Sequence, residues 1–118
     1  KRLYIDGLSF IPTNHADVKA SGMDAFIADI SAIESITRAD GSTNYKRTYN
    51  ACMKSIRNHR KTVLASPDIY RLANTGADIE LARQNNQCAV FFQIQGADCV
   101  EGGLHQVDEF YDLGLRVL

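Results

Sequence analysis

Cys88-Ala89-Val90-Phe91-Phe92-Gln93-Ile94-Gln95-Gly96 is a short, nearly continuous apolar run closed by a glycine. Its length and its Val, Phe and Ile content predict a β-strand buried on both faces. A helical pattern from Ala77 to Gln87 precedes it, and another from Leu104 to Leu113 follows it. That helix–strand–helix rhythm belongs to parallel α/β folds, whose working groups gather where strands end. Gln93 and Gln95 stand two apart, hence on one face, as the strand finishes, and Asp98 comes just beyond the glycine. One wall of any site is expected here.

Working outward toward the N-terminus, Arg2 to Gly7 carries Leu3, Tyr4 and Ile5 before Asp6-Gly7, a short first strand running into a turn. Leu8 to Asn14 contains Pro12 and no clear period, so it reads as an unusually apolar loop, with one helical turn at Asp17 to Ala20 before Gly22. Ala25 to Ile30 is a second strand, and Thr37 to Thr43, with Asp40-Gly41, is a loop. Tyr45, Tyr49, Cys52, Met53 and Ile56 then fall on one stripe of a 3.6-residue period, predicting a helix over about 44–60. The tyrosines and Met53 admit a ligand surface, but a core-facing stripe is the commoner use of such spacing.

Val63 to Leu72, with Ser66-Pro67-Asp68, reads as a connector holding an extended or single-turn piece. Thr75 is the expected N-cap of the next helix, Asp78 sits in the capping-box position, and Asn85-Asn86 ends that helix. Gly102-Gly103 opens the last helix, Leu104, Val107, Phe110 and Tyr111 share its face, Gly114 ends it, and Arg116-Val117-Leu118 begins a fourth strand. The expectation is four parallel strands in chain order, near 2–6, 25–30, 88–95 and 115–118, with helices near 44–60, 76–86 and 103–113 outside them. The chain stops three residues into an apolar strand and lacks an initial methionine. We therefore expect part of a larger domain, or a chain whose open strand edge finds a partner by self-association or by packing on another chain.

Composition excludes some functions. The chain has 118 residues, 45% of them hydrophobic, and a formal net charge of −1. Nucleic acids and anionic membranes favour clustered positive charge, so neither is an expected partner. Arg57-Asn58-His59-Arg60-Lys61 is the one basic concentration, and at the end of a helix it complements the dipole rather than marking a phosphate site. No apolar run approaches about 20 residues, and no basic-then-apolar leader opens the chain, so the expected location is cytoplasmic. Cys52, Cys88 and Cys99 are odd in number and form no close metal-type pair, which predicts reduced thiols, Cys88 in the core.

Catalytic patterns are sparse. No Gly-x-Ser-x-Gly turn or phosphate-cradling glycine loop is present, and His15, His59 and His105 are scattered without helical pairing. The residues by themselves describe an α/β scaffold with a polar rim and no complete catalytic set.

Longer blocks carry a resemblance. Tyr4-Ile5-Asp6-Gly7, then Ala77-Asp78-Ile79-Glu80-Leu81-Ala82, the strand into Ile94-Gln95-Gly96-Ala97, and Phe110-Tyr111-Asp112-Leu113-Gly114-Leu115-Arg116-Val117-Leu118 resemble, in that order, the N-terminal half of the membrane (renal) dipeptidase family. The resemblance implies an N-terminal part of a (β/α)8 TIM-type barrel, with residues 1–118 forming about the first four strand–helix units of an amidohydrolase-like domain. It further implies zinc-dependent hydrolysis of dipeptides or related amides by the full-length protein.

The family's metal motifs do not carry over. Its first strand ends in Asp-Gly-His-x-Asp, whose His and second Asp bind zinc, whereas Asp6-Gly7 is followed here by Leu8, Ser9 and Phe10. Its third strand ends in a Glu that bridges two zinc ions, and that position is Gln95. Leu and Phe offer no lone pair, and a neutral amide lacks the charge that holds two divalent cations together. The expectation is a degenerate metal site at Leu8, Phe10 and Gln95, no metal or other cofactor in this chain, and no activity by the chain alone. Gln95, Asp98 and Asp6, the last sharing the ligand face by strand alternation, are the expected contacts for a small-molecule or dipeptide ligand. The competing expectation is a non-catalytic homologue serving as a ligand-binding or structural scaffold.

Overall fold

The computed structural model describes residues 2–118. In chain order the elements are β1 (Ile5–Ser9), α1 (Ala16–Ser21), β2 (Ala25–Asp29), β3 (Glu34–Thr37), β4 (Thr43–Lys46), α2 (Tyr49–Leu64), β5 (Tyr70–Leu72), α3 (Ala77–Gln84), β6 (Cys88–Gln93), α4 (Leu104–Asp112) and β7 (Leu115–Val117). The main sheet is parallel throughout, and β1, β2, β6 and β7 are neighbours in that order. β6, the strand on which the sequence reading rests, is its centre.

One edge of β6 is shared end to end by two short strands. β5 pairs with Cys88, Ala89 and Val90, and β7 takes over at Phe92 and Gln93. The handover is visible in the ladder, where Ala73 donates to the Val90 carbonyl at 2.8 Å and Ile94 donates to the Val117 carbonyl at 3.1 Å. The segment 63–72 therefore holds the extended piece expected of it, while Val63 and Leu64 prolong α2.

Alternation divides the sheet into two faces. Phe26, Ala28 and Ile30 of the second strand and its end, with Val90, Phe92 and Ile94 of the sixth, are almost wholly buried against Cys52, Met53, Ile56 and Val63 of α2 and Phe110 of α4. Each large side chain buried in this way stabilises the fold by about 1.5–3 kcal/mol. Ala25, Ala73 and Ala89 point the other way, where Ile79 and Ala82 of α3 cover them.

The placement of α3 differs from the expectation that every helix lies on one outer side. Right-handed crossovers explain it. The connections from β2 to β5 and from β6 to β7 travel across the sheet in one direction, and their helices share a face. The connection from β5 to β6 travels back, so the same handedness sends α3 to the opposite face. Small residues at 25, 73, 82 and 89 let that helix sit close to the strands.

Tyr45 also departs from its expected place on the α2 stripe. The helix starts only at Thr48, whose Oγ1 accepts the Ala51 N–H at 3.1 Å. Residues upstream pair instead as an antiparallel ribbon, β3 with β4, and Tyr45 stands exposed opposite Ser35. Asp40-Gly41, read as a loop, is the tip of this hairpin, with Gly41 at φ +83° and the Arg38 N–H bonded to the Ser42 carbonyl at 2.8 Å. Cys52, Met53 and Ile56 do face the core.

Candidate functional site at the strand ends

The C-terminal ends of β1, β2 and β6 lie side by side on the face that α3 leaves open. α3 covers the N-terminal halves of the strands, through Ala25, Ala73 and Ala89. Beyond it Asp29 of β2 stands opposite Gln93 of β6, both half-buried. Their sequence neighbours Ala28, Ile30, Phe92 and Ile94 are 0% exposed on the helix-covered side, which fixes Asp29 and Gln93 on the open one.

β1 reaches this region through a bulge. Asp6 is level with Phe26 and Ser9 with Ala28, so three steps on β1 match two on β2. The bulge changes phase, so the expectation that Asp6 shares a face with the Leu8 and Phe10 positions does not hold. Asp6 lies beside Phe26, toward the helix-covered side, and its carboxylate turns back to accept the Leu8 N–H at 3.0 Å. Leu8 and Phe10 are 50% and 67% exposed at the strand end. The strand also runs on to Ser9, beyond the Gly7 boundary expected from sequence.

Gln95 is exposed just past β6, and its backbone N–H donates to Ser31 Oγ at 2.8 Å. Ser31 in turn donates its backbone N–H to Asp29 Oδ1 at 2.9 Å. Asp98 lies on the next turn, 3.7 Å from Arg47 Nη1 and largely solvent-exposed. Arg47 runs beneath that turn, within 3.4 Å of where a Cβ on Gly96 would stand, and Gly96 itself adopts φ +81°. Cys99 then anchors the turn, fully buried, its thiol pushed up to about 11 by burial and by the adjacent Cys52.

The structure thus sets Gln93 and Gln95 at the strand end as expected, turns Asp6 toward the helix-covered side, places Asp98 on the following turn, and adds Asp29. An acidic residue ending the apolar run Ala25-Phe26-Ile27-Ala28 was the available signal for Asp29. The face it occupies depends on register with β6.

Among the described residues no three His, Cys, Asp or Glu side chains converge as a metal site. His15 Nδ1 lies 2.7 Å from the Tyr70 hydroxyl, and His59, against Phe92 on the helix-covered face, has its Nδ1 2.8 Å from the Ser55 carbonyl. The three cysteines are buried and free, and burial pushes Cys88 up to about 12, which keeps it a thiol rather than a thiolate ligand. Among the described residues no helix is long and apolar enough to cross a membrane.

Comparison with known proteins accords with this geometry. A crystal structure of an amidohydrolase from Pseudomonas aeruginosa superposes with a TM-score of 0.79 at 22% identity, covering 98% of this chain and 33% of that one. The chain therefore spans about a third of that structure's length, and its parallel strands and helices are part of a TIM-type barrel. No curated protein is detectably similar to it in sequence. The pattern of the family described as "Membrane dipeptidase (Peptidase family M19)" matches residues 11–118, a span that takes in Gln95 and starts just after Leu8 and Phe10. With nearly the whole sequence matched, the chain belongs to the membrane dipeptidase family.

Proposed function

We propose that this chain supplies the first four strand–helix units of a dipeptidase-like amidohydrolase, and that it hydrolyses no dipeptide by itself. The observation that supports the reading is the end of β6, where Gln95 and Gly96 follow directly on Gln93 at the strand mouth, within the span that matches the family. Leu8, Phe10 and Gln95 stand where the family places His, Asp and Glu, and they provide neither a charged ligand nor a shared bridge for two cations. Gln95 serves instead to orient a bound amide at the mouth, with Asp98 and Arg47 as a charged rim beside it. A metal used by the full-length protein draws its ligands from outside these residues.

A non-catalytic scaffold is the second reading, and the same three substitutions favour it. Hydrolysis of L-alanyl-L-alanine, followed by ninhydrin or NMR, separates the two. Turnover by the full-length protein and none by residues 1–118 supports the hydrolase. No turnover by either, across a panel of dipeptides and divalent metals, supports the scaffold, and turnover by residues 1–118 contradicts both.

The same reading includes association of the isolated chain with itself or with another polypeptide. Its support is the row of exposed apolar side chains along β1 and its approach, Leu3, Tyr4, Ile5 and Leu8, on an outer strand of the sheet. Light scattering at rising concentration should show growth beyond the monomer, and a monodisperse monomer at high concentration contradicts it.

A further inference from the structure

We propose that Asp29, flanked by Gln93 and Gln95, is the recognition point for a ligand's ammonium group at the mouth of the sheet. The inference rests on the dipeptidase-like reading for the class of ligand, a peptide with a free amino terminus. Asp29 ends β2 on the open face, and Gln93 is its register partner on β6. One carboxylate oxygen, Oδ1, is engaged by the Ser31 N–H. Asp29 is half-buried and makes no ion pair among the described residues.

Chemistry selects the ligand. A carboxylate accepts only, and each carboxamide beside it adds a carbonyl acceptor, so the strip offers several acceptors around one negative charge. An ammonium carries three donors and one positive charge, which matches that set. Arg47, beside the Gly96 turn, pairs with Asp98 and forms no ion pair with Asp29. The Ser31 link fixes the geometry, because Ser31 holds Asp29 through its N–H and Gln95 through its hydroxyl. The ends of β2 and β6 are therefore tied together, with the Asp29 carboxylate and the Gln95 backbone held by one residue.

The test uses the full-length protein and reads binding, not turnover, by calorimetric titration with L-alanyl-L-alanine and with its N-acetyl form. The free dipeptide should bind at least about tenfold more tightly than the acetylated one, the range of a charge-assisted hydrogen bond. Asp29→Asn keeps an oxygen for the Ser31 N–H but removes the charge, and should weaken dipeptide binding by a similar factor. Asp108→Asn, on the exposed side of α4, should leave it unchanged. Equal affinity for the two dipeptides in the unsubstituted protein overturns the proposal without any variant. So does unaltered binding in Asp29→Asn, no detectable binding of the dipeptide, or binding that appears only when zinc is added. Tight, Asp29-dependent binding without hydrolysis contradicts the hydrolase reading alone. Hydrolysis that is indifferent to Asp29→Asn contradicts only this one.

Discussion

Ser31 accepts the Gln95 backbone N–H on its hydroxyl at 2.8 Å, so a side chain joins the ends of β2 and β6 where their backbone ladder stops. Ser31→Ala removes the acceptor and leaves that N–H to solvent. The expected loss is about 0.5–1.5 kcal/mol of stability, the usual net worth of one hydrogen bond. Amide exchange at Gln95 should accelerate while exchange at Val90, in the middle of the strand, stays slow. Equal acceleration at both amides would mean that the whole sheet, and not its mouth, depends on the link.

Asp78 organises the start of α3. Its carboxylate accepts the Asn74 N–H at 2.9 Å, the Thr75 N–H at 3.1 Å and Arg71 Nε at 3.1 Å. Those donors, the Asn74 N–H foremost, hold its pKa below the usual carboxylate range despite partial burial. A depressed folded-state pKa means stabilisation that is present above the unfolded value of about 3.9 and is lost as pH falls through the folded one. Asp78→Ala should cost about 1–3 kcal/mol near neutrality. The difference from the unsubstituted protein should shrink in urea melts as the pH drops below about 4. A difference that stays constant down to pH 2 contradicts this role.

The sequence disclosed the parallel core because Cys88–Gln95 and Ala25–Ile30 are apolar at nearly every position, a pattern that only a strand covered on both sides supports. Asp78 similarly announced α3, since it does reach back to the Thr75 N–H, but the N-cap is Gly76 and not the expected Thr75, and no side chain caps the helix there. The β3–β4 ribbon was not legible, because its strands are four residues long and fully exposed, with no alternating apolar face to mark them. The site was half legible. Gln93 and Gln95 followed from simple alternation, but Asp6 lost its expected face to a bulge between Asp6 and Ser9, and Asp29 joined the site only through pairing with a strand some sixty residues later. Bulges and long-range register are set by packing between strands, not by any single stretch.

Cys88 and Cys99 provide a test at the alkaline end. Burial pushes Cys88 up to about 12, with the Asp24 charge adding to it, and pushes Cys99 up to about 11. In the unfolded chain both ionise near about 8.5, so the unfolded state gives up protons first and stability falls as pH rises from there toward 11–12. The folded chain should be nearly inert to Ellman's reagent at pH 8 and should titrate three thiols after denaturation in guanidinium. Rapid labelling of all three under native conditions would show that this side of the core opens freely.

Zinc content tests the proposed loss of the metal site most directly. Purified protein, exposed to excess zinc and freed of unbound metal, is measured by elemental analysis for residues 1–118 and for the full-length protein. Leu8→His, Phe10→Asp and Gln95→Glu are then combined in the full-length protein. The expected result is no bound zinc on residues 1–118 and a rise in occupancy of the full-length protein when the three ligands are restored. Close to two zinc ions per chain on residues 1–118, lost on Gln95→Ala, would contradict the reading of these strand ends, as would a triple variant whose occupancy does not change.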